Sequence, residues 1–221
     1  MIKDLIESGK IKAAIFDLDG TLIDSMAFWD KLFLGYIKNL DFGVGDGILS
    51  KVAFMTMDEI AETISRMCPN INKDGKSIKA EWINAAYDAY KNKIPLKVGA
   101  YEFVKKLKAN NIKIAVSTSC PRPLATASLE KNNILHMCDE LVFSDEIGVN
   151  KESPDVYLKA LEKLGASVDE AVLFEDLKVA LNTAKSIKLK TVIIEDVASL
   201  CDREYFVENA DMYIKDYTEL L

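Results

Sequence analysis

Five short apolar runs, each closing on a polar side chain, recur along the chain: "KAAIFD" ending at Asp17, "IKIAVST" at Thr118, "ELVFSD" at Asp145, "AVLFED" at Asp176 and "TVIIED" at Asp196. Each is nearly continuous in apolar residues, the pattern of a strand covered on both faces rather than one half open to water. Helix-like segments, "AYEFVKKLKAN", "PLATASLEKNN", "SPDVYLKALEKLG" and "DLKVALNTAKSI", lie between the later ones. Strand and helix alternating at this spacing require right-handed crossovers and a parallel sheet. The fold class that follows is α/β, a doubly wound parallel sheet.

The gap between the first and second runs breaks the rhythm. From Ser25 to about Lys93 there are only helix-like stretches, "SMAFWDKLFLGYIKNL", "MDEIAETISRMC" and "SIKAEWINAAYDAYKNK", separated by the turn-rich "DFGVGDG" and "PNINKDGK". "TMDE", Thr56 to Glu59, has the spacing of a capping box. So long a helical insertion exceeds what one crossover needs. It reads as a separate helical subdomain over residues 25–93, with residues 1–24 and 94–221 forming the α/β core and Ile94-Pro95 marking the return.

Composition narrows the function classes. A formal net charge of −7 argues against a nucleic-acid backbone as partner. No apolar stretch approaches the roughly 20 residues that span a bilayer, and Asp4 and Glu7 interrupt the start where a secretory signal would be apolar. Cys68, Cys120, Cys138 and Cys201 are scattered without a C-x-x-C pair, as in reduced thiols, so a cytoplasmic protein is expected. The single histidine, His136, gives little support to histidine-based zinc or triad chemistry.

In a parallel sheet the carboxyl ends of all strands share one edge, where ligands bind. Here those ends bring Asp17 and Asp19, Thr118 and Ser119, and Glu175 and Asp176, with Lys151 following the third run in "GVNKESPD". Taken singly each has an ordinary reading: hydroxyls that cap a helix, a solvated acidic pair, a helix start around Pro154. Together they restrict the chemistry. Like-charged carboxylates at about 5 Å repel by on the order of 3 kcal/mol per pair at an effective dielectric near 20. A hard divalent cation, Mg²⁺ where phosphate also binds, relieves that repulsion. The lysine and hydroxyls would then hold phosphoryl oxygens while an aspartate attacks phosphorus.

With these residues in this order, the chain resembles the haloacid dehalogenase superfamily, in particular its β-phosphoglucomutase-like and phosphoglycolate phosphatase-like members with a helical cap. "DLDGTLIDS" is similar to the family's DxDGT signature, "VSTS" to its second motif, "NKESPD" to its third and "LFEDL" to its fourth. The resemblance implies a Mg²⁺-dependent phosphatase acting on a small phosphate monoester, a sugar phosphate or similar metabolite. It implies Asp17 as nucleophile and Asp19 as general acid, then base. Thr118, Ser119 and Lys151 would hold phosphate, Lys151 as a catalytic group that also neutralises it and orients Asp17. Asp17, the Asp19 carbonyl, Asp176 and Glu175 would hold the metal, Glu175 directly or through water. Three positions depart from the family pattern: Glu152 after Lys151, Leu177 after the acidic pair, and "AKSIKLKT" without the usual glycine, so that a different helix-ending turn is expected there.

Alternatives remain open at this point. Mutases of the subfamily tend to carry valine and a cap histidine where Thr21 and Trp29 stand, which favours hydrolysis over a phosphosugar mutase. A receiver-like phospho-acceptor domain shares the chemistry but is about half this length. A non-catalytic phosphate-binding protein would keep the fold without the full set of groups. In the cap, Phe28, Trp29, Phe54, Trp82 and Tyr87 are candidates for either pocket or core. Lys51 could reach a substrate, and the glycines of "FGVGDG" could let the cap open and close. No membrane or nucleic-acid partner is expected, and the residues leave the oligomeric state, monomer or weak dimer, undetermined.

Overall fold

Six strands form one fully parallel sheet in the computed structural model, which describes residues 2–38, 55–67 and 69–221. They are β1 (Ala13–Phe16), β2 (Lys113–Thr118), β3 (Glu140–Phe143), β4 (Ala171–Glu175), β5 (Lys190–Ile194) and β6 (Met212–Ile214), in the order β3-β2-β1-β4-β5-β6. Lys51, Phe54, Cys68 and the "FGVGDG" loop lie outside the described residues. The first five strands are the five apolar runs, and the sixth, three residues long, is too short to stand out by pattern. Two boundaries are corrected: β5 ends at Ile194, two residues before Asp196, and the third run leaves the sheet at Phe143, because Ser144–Ile147 already form a helical turn closed by Gly148 at φ 71°.

Strand order reverses around β1, with Phe16 opposite Val116 of β2 on one side and Phe174 of β4 on the other. Asp17 therefore leaves the sheet between the ends of β2 and β4, in the crevice where doubly wound sheets bind ligands. One face of the sheet is packed by aromatic rings. Phe16 stacks on Phe174 with centroids 4.4 Å apart, Phe103 meets Phe174 at 5.3 Å, and Tyr217 lies 5.4 Å from Phe103. The other face buries Ala13, Ile15 and Leu173 against Val156, Tyr157 and Ala160. The larger of these side chains contribute roughly 1.5–3 kcal/mol each on burial, so the strand ends sit on a rigid base.

The described regular structure of the inserted segment is helical: Met26–Lys38, Met57–Met67 and Gly75–Asn92, with a 3₁₀ turn at Pro69–Ile71. The capping box forms as expected. The backbone N–H of Thr56 donates to Glu59 at 2.7 Å, and that of Glu59 donates to the Thr56 hydroxyl at 3.2 Å. Beyond it, Met57, Ile60, Ala61 and Ile64 are buried at helical spacing. Helix Gly75–Asn92 starts from Asp74, whose carboxylate accepts from Ser77 N–H, and packs along Arg122–Lys131 of the α/β part. Ile78, Trp82, Ala86 and Tyr90 thereby join the same apolar cluster as Phe16 and Phe103. The two chain crossings run side by side, Asp24 N–H donating to Pro95 and Lys97 N–H to Leu22. The Lys79 ammonium, 2.6 Å from Asp58 of the same segment, reaches across the seam to Asp145 at 2.7 Å.

The turn after Lys178–Ser186 corrects the expectation that it would differ for want of glycine. Lys188 itself takes φ 61°, Leu189 N–H donates to Ala184 and Lys188 N–H to Lys185, the two bonds of a Schellman ending. A side chain in left-handed backbone is strained, and Lys188 is exposed. Lys188→Gly is expected to stabilise the protein by about 0.5–1 kcal/mol, read as a rise in thermal midpoint without change in activity.

Candidate active site

The end of β1 delivers two carboxylates into different surroundings. Asp17 is buried, its Oδ1 3.1 Å from the Lys151 ammonium, which also lies 2.5 Å from Glu175 Oε1. Glu175 closes β4. Its Oε2 accepts the N–H groups of Asp176 and Leu177, at 2.9 and 3.1 Å, at the start of the following helix. Asp176 is held through Oδ1 by the Thr21 hydroxyl at 2.9 Å. Gly20 turns the chain at φ 81°, and a Cβ there would run into the Asp176 carboxylate, so the turn needs glycine for both reasons.

Asp17, Glu175 and Asp176 present oxygens that all lie within 4.8 Å of one another, and all three are buried. Among the described residues Lys151 is the one ammonium paired with them, so three ionised carboxylates would leave two negative charges uncompensated there. Burial accordingly pushes the Asp17 carboxyl up to about 7, against the pull of Lys151 and helped by Glu175 and Asp19. Asp176 is raised as well, by burial and then by Glu175. Burial works against the charge of Lys151, but Asp17 and Glu175 outweigh it, and the ammonium keeps its proton well above the ordinary lysine range. Asp176 Oδ2 is buried and has no hydrogen-bond partner among the described residues. An all-oxygen donor set, an orphaned carboxylate oxygen and a deficit of two charges fit a hard divalent cation.

Asp19, partly buried, faces the inserted segment. Its Oδ1 accepts from the Ser25 hydroxyl at 2.6 Å, from the Tyr90 hydroxyl, and more distantly from Trp29 Nε1 at 3.4 Å. At the end of β2, Thr118 is buried and its hydroxyl accepts from Cys120 N–H at 3.0 Å, while the Ser119 hydroxyl donates to Ser144 at 3.3 Å. The Cys120 thiol is held well above its usual range by burial and by Asp19 beside it.

Most of the polar groups at the strand ends border one cavity. Asp17, Asp19, Thr118, Ser119, Lys151 and Asp176 form its floor, and Met26, Trp29, Asp30, Met55, Met57 and Ile60 of the inserted segment form its roof. Every residue singled out from sequence as catalytic, phosphate-binding or metal-binding thus borders this cavity or, as Glu175 does, supports its floor. Of the cap aromatics, Trp29 lines the cavity, Phe28 packs against the core, Trp82 is fully buried in it, and Tyr87 is 42% exposed. Glu152 is exposed and borders a separate cleft with Glu59 and Glu62, apart from the buried Lys151 ammonium. Leu177 caps nothing with its side chain but lines the cavity. Sequence reasoning missed the hydrogen-bonding roles of Thr21, Ser25 and Tyr90. The first two lie inside the quoted DLDGTLIDS stretch and could have been found there, whereas Tyr90 carries no local signal.

Comparison with known proteins gives a consistent picture. A family model described as haloacid dehalogenase-like hydrolase matches residues 14–194. Among curated proteins the chain is 28% identical to validoxylamine A 7'-phosphate phosphatase of Streptomyces hygroscopicus subsp. limoneus, over 95% of each chain. It is 23% identical to hexitol phosphatase B of Escherichia coli strain K12, over 96% of this chain and 95% of that protein. Among solved structures, CbbY of Rhodobacter sphaeroides in complex with phosphate superposes with a TM-score of 0.77 at 23% identity, covering 95% of this chain and 96% of the other. That likeness bears on the fold.

Proposed function

Because the chain belongs to the haloacid dehalogenase-like hydrolase family, we propose that it is a Mg²⁺-dependent phosphatase that cleaves a small phosphate monoester through an aspartyl phosphate on Asp17. The observation that carries this reading is the buried trio Asp17, Glu175 and Asp176 around Lys151 on the floor of the cavity. Relatives named for validoxylamine phosphate and hexitol phosphate point to a polyhydroxylated, sugar-like ester. Residues 25–93 act as the cap that covers it.

In this reading Asp17 attacks phosphorus, and Asp19 gives its proton to the departing alcohol oxygen, breaking the ester P–O bond. Asp19, now a carboxylate, takes a proton from water, which attacks the aspartyl phosphate and releases inorganic phosphate and free Asp17. Lys151, Thr118 and Ser119 hold the phosphoryl oxygens. Asp17, Asp176 and the Asp19 carbonyl would hold Mg²⁺, with Glu175 direct or through water. The ion would supply neutralisation of the phosphoryl charge, so that one anion can approach another. The largely apolar roof, Met26, Trp29, Met55, Met57 and Ile60 with Asp30 beside them, keeps water from the reacting groups until the leaving group has gone.

The test is phosphate release from a panel of hexitol, sugar and nucleotide phosphates. Turnover is expected with Mg²⁺, strongest on sugar-like esters, and loss of it is expected on chelation. Activity indifferent to chelator would overturn the metal assignment. Isomerisation of β-glucose 1-phosphate faster than phosphate release would make the protein a mutase.

A further inference from the structure

Tyr90 stands at the far end of helix Gly75–Asn92, 71 positions from Asp19, yet its side chain is fully buried against that carboxylate. The bonding has a direction. Trp29 Nε1 is a donor only, and its N–H points to the Tyr90 oxygen at 2.6 Å. With that oxygen already accepting, the Tyr90 hydroxyl spends its own proton on Asp19 Oδ1. Ser25 donates to the same oxygen at 2.6 Å. Ser25, Trp29 and Tyr90 therefore all address Oδ1, while the Cys120 thiol beside them also reaches this carboxylate. Trp29 and Tyr90 also hold each other through ring contact, with centroids 5.9 Å apart and planes 61° apart.

We propose that Tyr90 is a positioning residue for Asp19: the inserted segment, through the relay Trp29 to Tyr90 to Asp19, sets which carboxyl oxygen faces the leaving group. This rests on the reading of Asp19 as general acid given above. The relay crosses between the two parts of the chain, because Trp29 and Tyr90 belong to the insertion and Asp19 to the end of β1. A substrate bound under a correctly seated insertion meets an aligned acid, and a displaced insertion releases Asp19 from the Tyr90 and Trp29 donors. Small displacements matter here, since an acid misplaced by about 1 Å can forfeit on the order of a hundredfold in rate.

The test exploits the leaving group. An alkyl phosphate needs protonation of its departing oxygen, whereas nitrophenolate leaves well without it. In Tyr90→Phe, kcat/KM for a hexitol phosphate is expected to fall about tenfold to a hundredfold, and that for nitrophenyl phosphate by less than about threefold. Trp29→Phe, which keeps Tyr90 but removes the donor that orients its hydroxyl, is expected to move the same ratio in the same direction, and it carries the test should Tyr90→Phe fail to fold. A merely structural role would lower both substrates together. Equal losses, or no loss, would overturn the proposal. Asp17→Asn run in parallel separates the two readings: if it is inactive while the ratio is unmoved, Tyr90 fails alone, and if it remains active, the phosphatase mechanism fails.

Discussion

Asp17→Asn is expected to lower turnover of any phosphate ester by at least about a thousandfold, the scale on which removal of a covalent nucleophile is felt. The amide is nearly the same size as the carboxylate but cannot attack phosphorus, and nothing on the cavity floor replaces it. Glu175 is tied to the backbone and to Lys151, and Asp176 to Thr21. The same substitution should leave the fold standing, and in chelator should strengthen it. Burial pushes the Asp17 carboxyl up to about 7, so between its unfolded value and that pH the folded state binds more proton than the unfolded one. Stability is therefore present at the acid end and lost as pH rises through about 7, because the buried carboxylate must ionise. Asparagine has nothing to ionise. Thermal unfolding in chelator should show the variant gaining most over the wild type at pH 8. An active variant, or one that unfolds earlier at pH 8, would overturn this assignment of Asp17.

The fold was legible where burial is two-sided and local. Runs such as "AVLFED" and "TVIIED" need only their own apolar continuity to be read as inner strands, and β4 and β5 occupy them. "TMDE" carries its whole capping interaction within four residues, so the box forms as read. β6 was not legible, because "MYI" is three residues completed by its neighbour β5. Nor was the turn at Lys188, where the hydrogen bonds of the helix ending hold a non-glycine residue in left-handed backbone. In the site, the carboxylates, hydroxyls and lysine were readable because strand ends in a parallel sheet must converge. Tyr90 was not: its partner lies 71 positions away, and at helical spacing a tyrosine among Trp82 and Ala86 looks like one more core side chain.

Lys151→Met is expected to fail in both stability and rate, and for one electrostatic reason. The ammonium is the counter-charge buried between Asp17 and Glu175, at 3.1 and 2.5 Å, with Asp176 also close enough to raise its proton affinity. Removing one partner of a buried ionic cluster typically costs about 3–5 kcal/mol, because the remaining charges can neither reach water nor pair with one another. Methionine fills the space but supplies no compensation. The carboxylates relieve themselves by taking up protons, so the deficit should be modest near pH 6 and larger at pH 8, where ionisation is forced. Asp17, already raised by burial, then stays protonated further into the neutral range, which removes the nucleophile as well as the group that holds phosphate. Turnover should fall by about a hundredfold or more at neutral pH. Mg²⁺ is expected to restore much of the thermal midpoint, since it neutralises the same carboxylates, while leaving the rate low, since it does not replace the ammonium that holds the phosphoryl oxygens. Thermal unfolding at both pH values, with and without Mg²⁺, beside initial rates on nitrophenyl phosphate, separates these effects. A Lys151→Met variant as stable and as fast as the wild type would mean that the buried charges are balanced in some other way, and the account of the site would have to be rebuilt from that balance.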